Sequence, residues 1–413
     1  MQLSPKAHSF VGVFFIAAVM GGSVLNLYIE GSALQEGMAT LPPLSSLDGF
    51  REACRRADAL VQDNLAGKHR AWAAHAWLHE RLGKSEMNGF SVIKAPDGRL
   101  YRGGLFPVQT GDADKLVGDI ADLAGLAREK EAAFLYLGTP GTILLGADHL
   151  PESMPFNDYN VVLDSFLYGL REKNVPFLDS RFAFLSHGFP AGSIAPKTGF
   201  ALSGEAAFAL FTYLVDGLEQ RFSVSLDPDG FYRNPDNYEF EKHPDFSIGQ
   251  LGKETGPAFS GLDGFTAVNP KFETAFTVES LDMFGKTAET EGDARETLLH
   301  PDALVYYKDL YSLYPEGYYV HTNSTWSRVV NRRNPDGPRV LIIHDFQTAQ
   351  LVSHLAPLFS EVHTLASHEN LSTNAVEYLR DNDIDLVLVS FFPQNLLLPG
   401  ARTLIGSVEL PSE

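Results

Sequence analysis

A chain of 413 residues, 44% hydrophobic and 20% charged, is long enough for one large domain or two ordinary ones around a sizeable core. Its formal net charge of -20 repels nucleic acid and anionic lipid surfaces, so a nucleic-acid partner is excluded. The single cysteine, Cys54, rules out an intramolecular disulfide. No cysteine pair or tight histidine cluster supplies a metal ligand set, and no cofactor is expected.

In chain order, residues 10–29 are apolar or small apart from Ser23 and Asn26, with Lys6 and His8 before them and Glu30 after. About 20 such residues just span a hydrocarbon core. Residues 1–30 therefore read as a signal peptide or, lacking a clear small-x-small cleavage site, as an uncleaved single-pass anchor in the inner membrane. The positive charge on the short N-terminal side places the rest in the periplasm or outside the cell. Residues 31–47 form a linker rich in Gly, Ser and Pro, and the globular domain runs from 48 to 413.

Within that domain, 48–82 predicts an amphipathic helix or helix pair, and 91–101 a hairpin around the turn Pro96-Asp97-Gly98. A helix over 112–130 precedes a buried strand over 132–137 that ends at Gly138-Thr-Pro-Gly141. A helix over 157–173 precedes a short strand over 175–178. Residues 203–222 are strongly helical, with Ser203 as the N-cap. Residues 227–300, rich in Asp, Gly, Pro, Phe and Tyr, read as an insertion of irregular and β structure over the sheet edge. Residues 306–330 read as an aromatic-rich connection.

The stretch 339–392 organises the chain. Val340 to Ile343 is an uninterrupted apolar run closed by His344 and Asp345, the pattern of a strand buried on both faces. Helical spacing of Leu351, Val352, Leu355, Leu358 and Phe359 follows. A strand over 361–365, a helix over 371–379 and a strand over 385–392 complete a doubly wound, mostly parallel sheet. Ligands sit beyond the carboxyl ends of such strands, so the tip His344-Asp345-Phe346-Gln347 is the first place to look for chemistry.

Several stretches together resemble one family, the alginate O-acetyltransferase-like proteins of the SGNH hydrolase superfamily, in the branch named for its Asp-His-His-Trp motif. Residues 63–70, followed by Val92-Ile-Lys-Ala-Pro-Asp-Gly-Arg-Leu-Tyr101, are similar to its first helix and turn. Residues 136–151 resemble its strand and Leu-Pro segment. Residues 246–270, with Gly249-Gln-Leu-Gly-Lys-Glu-Thr-Gly256, resemble its middle region, and 331–359 resemble the part that carries the nucleophile.

The resemblance implies a three-layer α/β/α sandwich, export, and a Ser-His-Asp triad acting on acetyl esters of surface polysaccharide. It also implies two partners, that polysaccharide and a membrane-bound O-acyltransferase. The family's serine lies in an Asp-Ser-Phe turn; here Phe346 stands in its place after Asp345. The Asp-His-His-Trp motif aligns with Lys197, Thr198, Gly199 and Phe200. A rival placement, Asn323-Ser-Thr-Trp326, keeps the tryptophan but lacks the helix that should follow. Under either placement the triad is missing, and loss of the nucleophile alone costs about 10⁶ in kcat in a serine hydrolase. The expectation is an inactive scaffold that binds or docks. The alternative is an active acetyltransferase or acetylesterase with a displaced catalytic set.

Other candidates weigh less. His344 beside Asp345 could form a displaced dyad, but aspartates at turns more often shape them through backbone hydrogen bonds. Tyr318, Tyr319, Trp326 and Asn323 are candidate sugar contacts, because flat rings suit sugar faces; the common fate of such rings is core packing.

Overall fold

The apolar runs around Leu135, Ile342 and Leu388 lie side by side as parallel strands, as their lack of a polar face demands. The structure, a computed structural model, describes residues 68–104, 111–144, 154–189, 194–282, 284–305, 310–319, 324–366 and 373–406, together with 35, 55 and 56. Of the helix expected over 48–82, the described part is Lys68–Arg81. The chain divides into two compact units, 1–75 and 76–413, and every described strand belongs to the second.

Its strands in chain order are β1 (Glu86–Met87), β2 (Val92–Lys94), β3 (Leu100–Arg102), β4 (Ala133–Gly138), β5 (Phe177–Asp179), β6 (Tyr238–Ser247), β7 (Asp263–Pro270), β8 (Phe276–Asp282), β9 (Thr287–Gly292), β10 (Ser324–Asn331), β11 (Arg339–His344), β12 (Glu361–Ala366) and β13 (Leu386–Ser390). The central sheet runs β5-β4-β13-β11-β12-β10-β8-β9. Its first five strands are parallel, and β10, β8 and β9 continue it antiparallel. The expected hairpin appears as β2 against β3, and β6 pairs with β7 in a separate ribbon.

Period-two alternation divides the parallel strands between two cores. Phe134, Tyr136, Leu341, Ile343, Val387 and Val389 face the helices Gly111–Glu129, Asn160–Glu172, Ala375–Asp381 and Pro399–Ile405. Leu135, Leu137, Val340, Ile342, Leu386 and Leu388 face the other side, against Gly204–Phe222 and Leu351–Leu355. Each fully buried aliphatic or aromatic side chain stabilises by about 1.5–3 kcal/mol. The Gly204–Phe222 helix buries Leu210, Phe211, Leu214 and Val215 completely, which fixes it to the sheet. Ser203 caps it, its hydroxyl accepting from the Ala206 amide at 3.2 Å. Helices on both faces of one mostly parallel sheet make the doubly wound sheet that the periodicity predicts and the α/β/α sandwich that the resemblance implies.

Three expectations need correction. Residues 324–331 are more than the end of an aromatic-rich connection; they form β10, seated between β12 and β8. Its buried positions alternate, but serine and asparagine occupy several of them, which hides the strand from a hydrophobic pattern. Residues 227–300 do not simply overlie the sheet edge, because β8 and β9 extend the sheet itself. β9 is its outer edge and is exposed along almost its whole length. Finally, the single-pass inner-membrane anchor is not supported: among the described residues no helix is long and apolar enough to cross a membrane. The two longest described helices have 19 residues each and carry several charges. The segment 10–29 and the linker 31–47 lie outside the described residues, save residue 35.

Candidate functional site

The carboxyl end of β11 is organised by Asp345. With both faces of β11 buried, the chain must turn sharply at its tip, and the Asp345 side chain satisfies the amides this turn leaves open. It accepts from the Gln347 amide at 3.0 Å, the Phe392 amide at 2.6 Å and Asn395 Nδ2 at 2.7 Å. The first bond shapes the turn; the other two tie it to the end of β13. Burial pushes the Asp345 carboxyl up to about 6, against the pull of those three donors. Gln347 adds a second tie. Its Oε1 accepts from Thr139 Oγ1 at 2.6 Å, and its Nε2 donates to the Pro140 carbonyl at 3.1 Å, joining the turn to the end of β4.

Beyond this turn lies a cavity of about 290 Å³. Phe346, 36% exposed, supplies part of its apolar lining and packs against Phe392, with ring centroids 5.6 Å apart. Phe200 packs on the same Phe392 ring at 5.9 Å. One wall is the loop at 199–201, held against 248–253 by Thr198. The Thr198 hydroxyl donates to the Asp263 carboxylate and accepts from the Gly249 amide at 2.6 Å; the Thr198 carbonyl accepts from Leu251 at 2.9 Å. Burial raises the Asp263 carboxyl above its ordinary range, opposed by the bonds from Thr198. The two segments touch so closely that a Cβ at Gly249 would lie 2.5 Å from Gly199 Cα.

The polar lining comes from Gln250, Lys253, Tyr314 and Glu316. Lys253 Nζ donates to the Leu313 carbonyl at 2.7 Å and sits 5.9 Å from the centre of the Tyr314 ring. Enclosure pushes the Glu316 carboxyl up, opposed by its own amide and by the nearby Lys253 charge. The residue keeps accessible surface because it borders the cavity space. The described residues lining the cavity include no serine, cysteine or histidine. An aromatic surface with a carboxylate, an ammonium and an amide beside it suits a ligand with an apolar face and hydroxyl groups. Among the described residues no cluster of His, Cys, Asp and Glu could hold a metal.

Of the aligned positions, Phe346, Gly199 and Phe200 line the cavity, and Lys197 and Thr198 do not. Lys197 itself is exposed, with its carbonyl accepting from Leu100, and Thr198 is fully buried. His344 is buried inside the sheet, its Nδ1 2.9 Å from the Asp345 carbonyl oxygen, and does not line the cavity. The Asp345 carboxylate is engaged by Gln347, Phe392 and Asn395, so it acts at the turn and not in a dyad.

The sugar-contact candidates lie elsewhere. Tyr318 and Tyr319 are 2% and 1% exposed, one donating to Asn269 Oδ1 and the other accepting from the Val268 amide. Neither offers a ring face to a ligand. Trp326 lies on β10 and packs against the opposite core, with Nε1 donating to Tyr378 Oη at 3.2 Å. Asn323 lies outside the described residues. Sequence reasoning did not single out Glu316, Lys253 or Asp263. Gln250 and Lys253 do fall in the Gly249–Gly256 segment that carries part of the family resemblance.

No family model and no curated protein sequence matches this chain. Solved structures do. Two structures of Bacillus cereus PatB1, one with a sulfonyl adduct, align at 17% and 16% identity with TM-scores of 0.58 and 0.59. They cover 75% of this chain and 96% and 98% of PatB1. A DHHW family protein from Eubacterium siraeum aligns at 15% identity and a TM-score of 0.53, over 77% of this chain and 95% of that one. The O-acetyltransferase domain of Pseudomonas putida AlgJ aligns more loosely, at 11% identity and a TM-score of 0.46, over 75% and 92%. The chain thus shares its α/β/α fold with PatB1 and the DHHW family protein.

Proposed function

We propose that this chain is a non-catalytic binding protein of a cell-surface polysaccharide O-acetylation or assembly system, and that it holds a saccharide in the cavity beyond β11. One observation carries the reading: the cavity presents Phe346 where the family resemblance calls for serine, and among its described lining residues there is no histidine to take a proton. The Thr198 hydroxyl, at a position aligned with the motif's histidine, is engaged by Asp263 and Gly249. What remains suits binding. Sugar rings carry an apolar face that packs on aromatic side chains such as Tyr314 and Phe346, while Gln250, Lys253 and Glu316 supply partners for hydroxyl groups.

The test combines a reactive probe with a binding measurement. PatB1 yields a structure with a sulfonyl adduct; this protein, treated with a sulfonyl fluoride and weighed intact, is expected to stay unlabelled and to hydrolyse no acetyl ester. Acetylated oligosaccharides are expected to perturb the NMR signals of residues around Tyr314, and Tyr314→Ala to weaken that binding about tenfold, the loss of one good contact of about 1.4 kcal/mol. Turnover abolished by changing Asp345 or His344, or a sulfonyl group on a serine at this cavity, would establish the displaced-triad enzyme instead.

A further inference from the structure

On the face of the sheet that carries Gly204–Phe222, a small chamber of about 10 Å³ lies between the Leu351–Leu355 helix, the start of β6 and the end of β7. Its wall includes Tyr238, Ser353 and His354. Tyr238 is 4% and His354 2% exposed. Tyr238 Oη, Ser353 Oγ and His354 Nε2 are all shut off from solvent, and no protein atom is their hydrogen-bond partner. Buried polar atoms are almost always paired, because an unpaired one bears its full desolvation penalty. Three such atoms around one chamber point to a ligand.

The chemistry of the wall narrows what that ligand is. The His354 ring is enclosed by Phe208, Phe211, Tyr238 and Tyr319, and burial pushes it down to about 4, so it is neutral near pH 7. Among the described residues, no ionisable side chain other than Tyr238 and His354 lines the chamber. Glu239, Glu273, Asp293, Arg295 and Arg333 belong to a neighbouring cleft of about 450 Å³, which shares Pro270, Phe272, Thr274, Ala294 and Leu299 with the chamber wall. An ion would therefore be uncompensated inside. A water molecule needs about 10–15 Å³ and two to four polar partners, and can donate and accept at once.

We propose that the chamber is a binding site for one water molecule bridging Tyr238 Oη, Ser353 Oγ and His354 Nε2. The bridge fixes the imidazole orientation and joins the Leu351–Leu355 helix to the β6–β7 ribbon. The water exchanges through the shared wall at Phe272 and Leu299, toward the charged cleft.

Magnetic relaxation dispersion of water nuclei, recorded on the intact protein, detects internal waters with long residence times. The wild type is expected to show one that is missing from His354→Phe. Tyr238→Phe, which removes only a hydroxyl, carries the test if the first variant fails to fold, and is expected to shorten that residence time. Phe272→Ala, thinning the wall, is expected to shorten it further. Identical dispersion in the wild type and in the variants that fold overturns the proposal. So does a crystal structure showing a dry chamber, or His354 Nε2 bonded to a protein atom.

Discussion

The buried polar cluster around Asp345 and the one around His354 are built in opposite ways. At the tip of β11 the Asp345 carboxylate meets three protein donors from two elements. Around His354, by contrast, three polar atoms meet none. The first cluster is a finished joint that sets the position of Phe346 and of the cavity lining. The second is a joint that the protein leaves to a small molecule. Their acid–base behaviour is opposed as well. Burial raises Asp345 to about 6 and lowers His354 to about 4, each disfavouring the charged form.

The largest expected effect comes from breaking the finished joint. Asp345→Ala strands the Gln347 and Phe392 amides and Asn395 in the interior, and is expected to lose about 4 kcal/mol, read from urea denaturation. A loss under about 1 kcal/mol would erase the contrast between the two clusters.

Next come the pH dependences. A carboxyl whose folded value lies above its unfolded value of 3.8 makes the native state bind more protons between about 4 and 6. Its contribution to stability is therefore present below the unfolded value and lost as pH rises through 6. A histidine whose folded value lies below 6.5 makes the unfolded state bind more protons between about 4 and 6.5. Its contribution is present above 6.5 and lost as pH falls through 4. At about 1.4 kcal/mol per pH decade, each amounts to roughly 3 kcal/mol across its window. Denaturation midpoints from pH 4 to 7 are expected to tilt one way in Asp345→Asn and the other way in His354→Phe, with the wild type flatter than either. Equal slopes in the two variants would refute the opposition.

The smallest effect tests the cavity wall. Gly249→Ala drives a methyl group into Gly199 Cα and is expected to destabilise by about 1–3 kcal/mol. Saccharide binding should weaken more than stability falls, because the wall at 199–201 shifts.

Legibility in the sequence followed the physics of each part. The β11–β12–β13 core was readable because strands buried on both faces leave unbroken apolar runs, and Ser203 marked its helix because a cap needs a short hydroxyl side chain before the apolar period. β10 was not, since Ser327 and Asn331 occupy buried places that are satisfied by partners far away, Thr364 and the carbonyls of Ala356 and Pro357. The site was half readable. The turn at Asp345 followed from turn chemistry, its carboxylate holding backbone amides. Glu316 and Asp263 did not: Asp263 meets Thr198 across 65 residues, and no local pattern carries such a contact. The aromatic cluster misled because Tyr318 and Tyr319 fill the core, whereas Tyr314, four residues earlier, faces the cavity.

The outer strand β9 has a consequence for how this molecule behaves in company. An open edge invites a neighbouring chain to add its own strand, yet here Glu289 and Glu291 stand along it, and Glu289 sits opposite Glu279 on β8. Glu291 is ion-paired with Arg332, so it is Glu289, beside Glu279, whose charge opposes the addition of an identical rim.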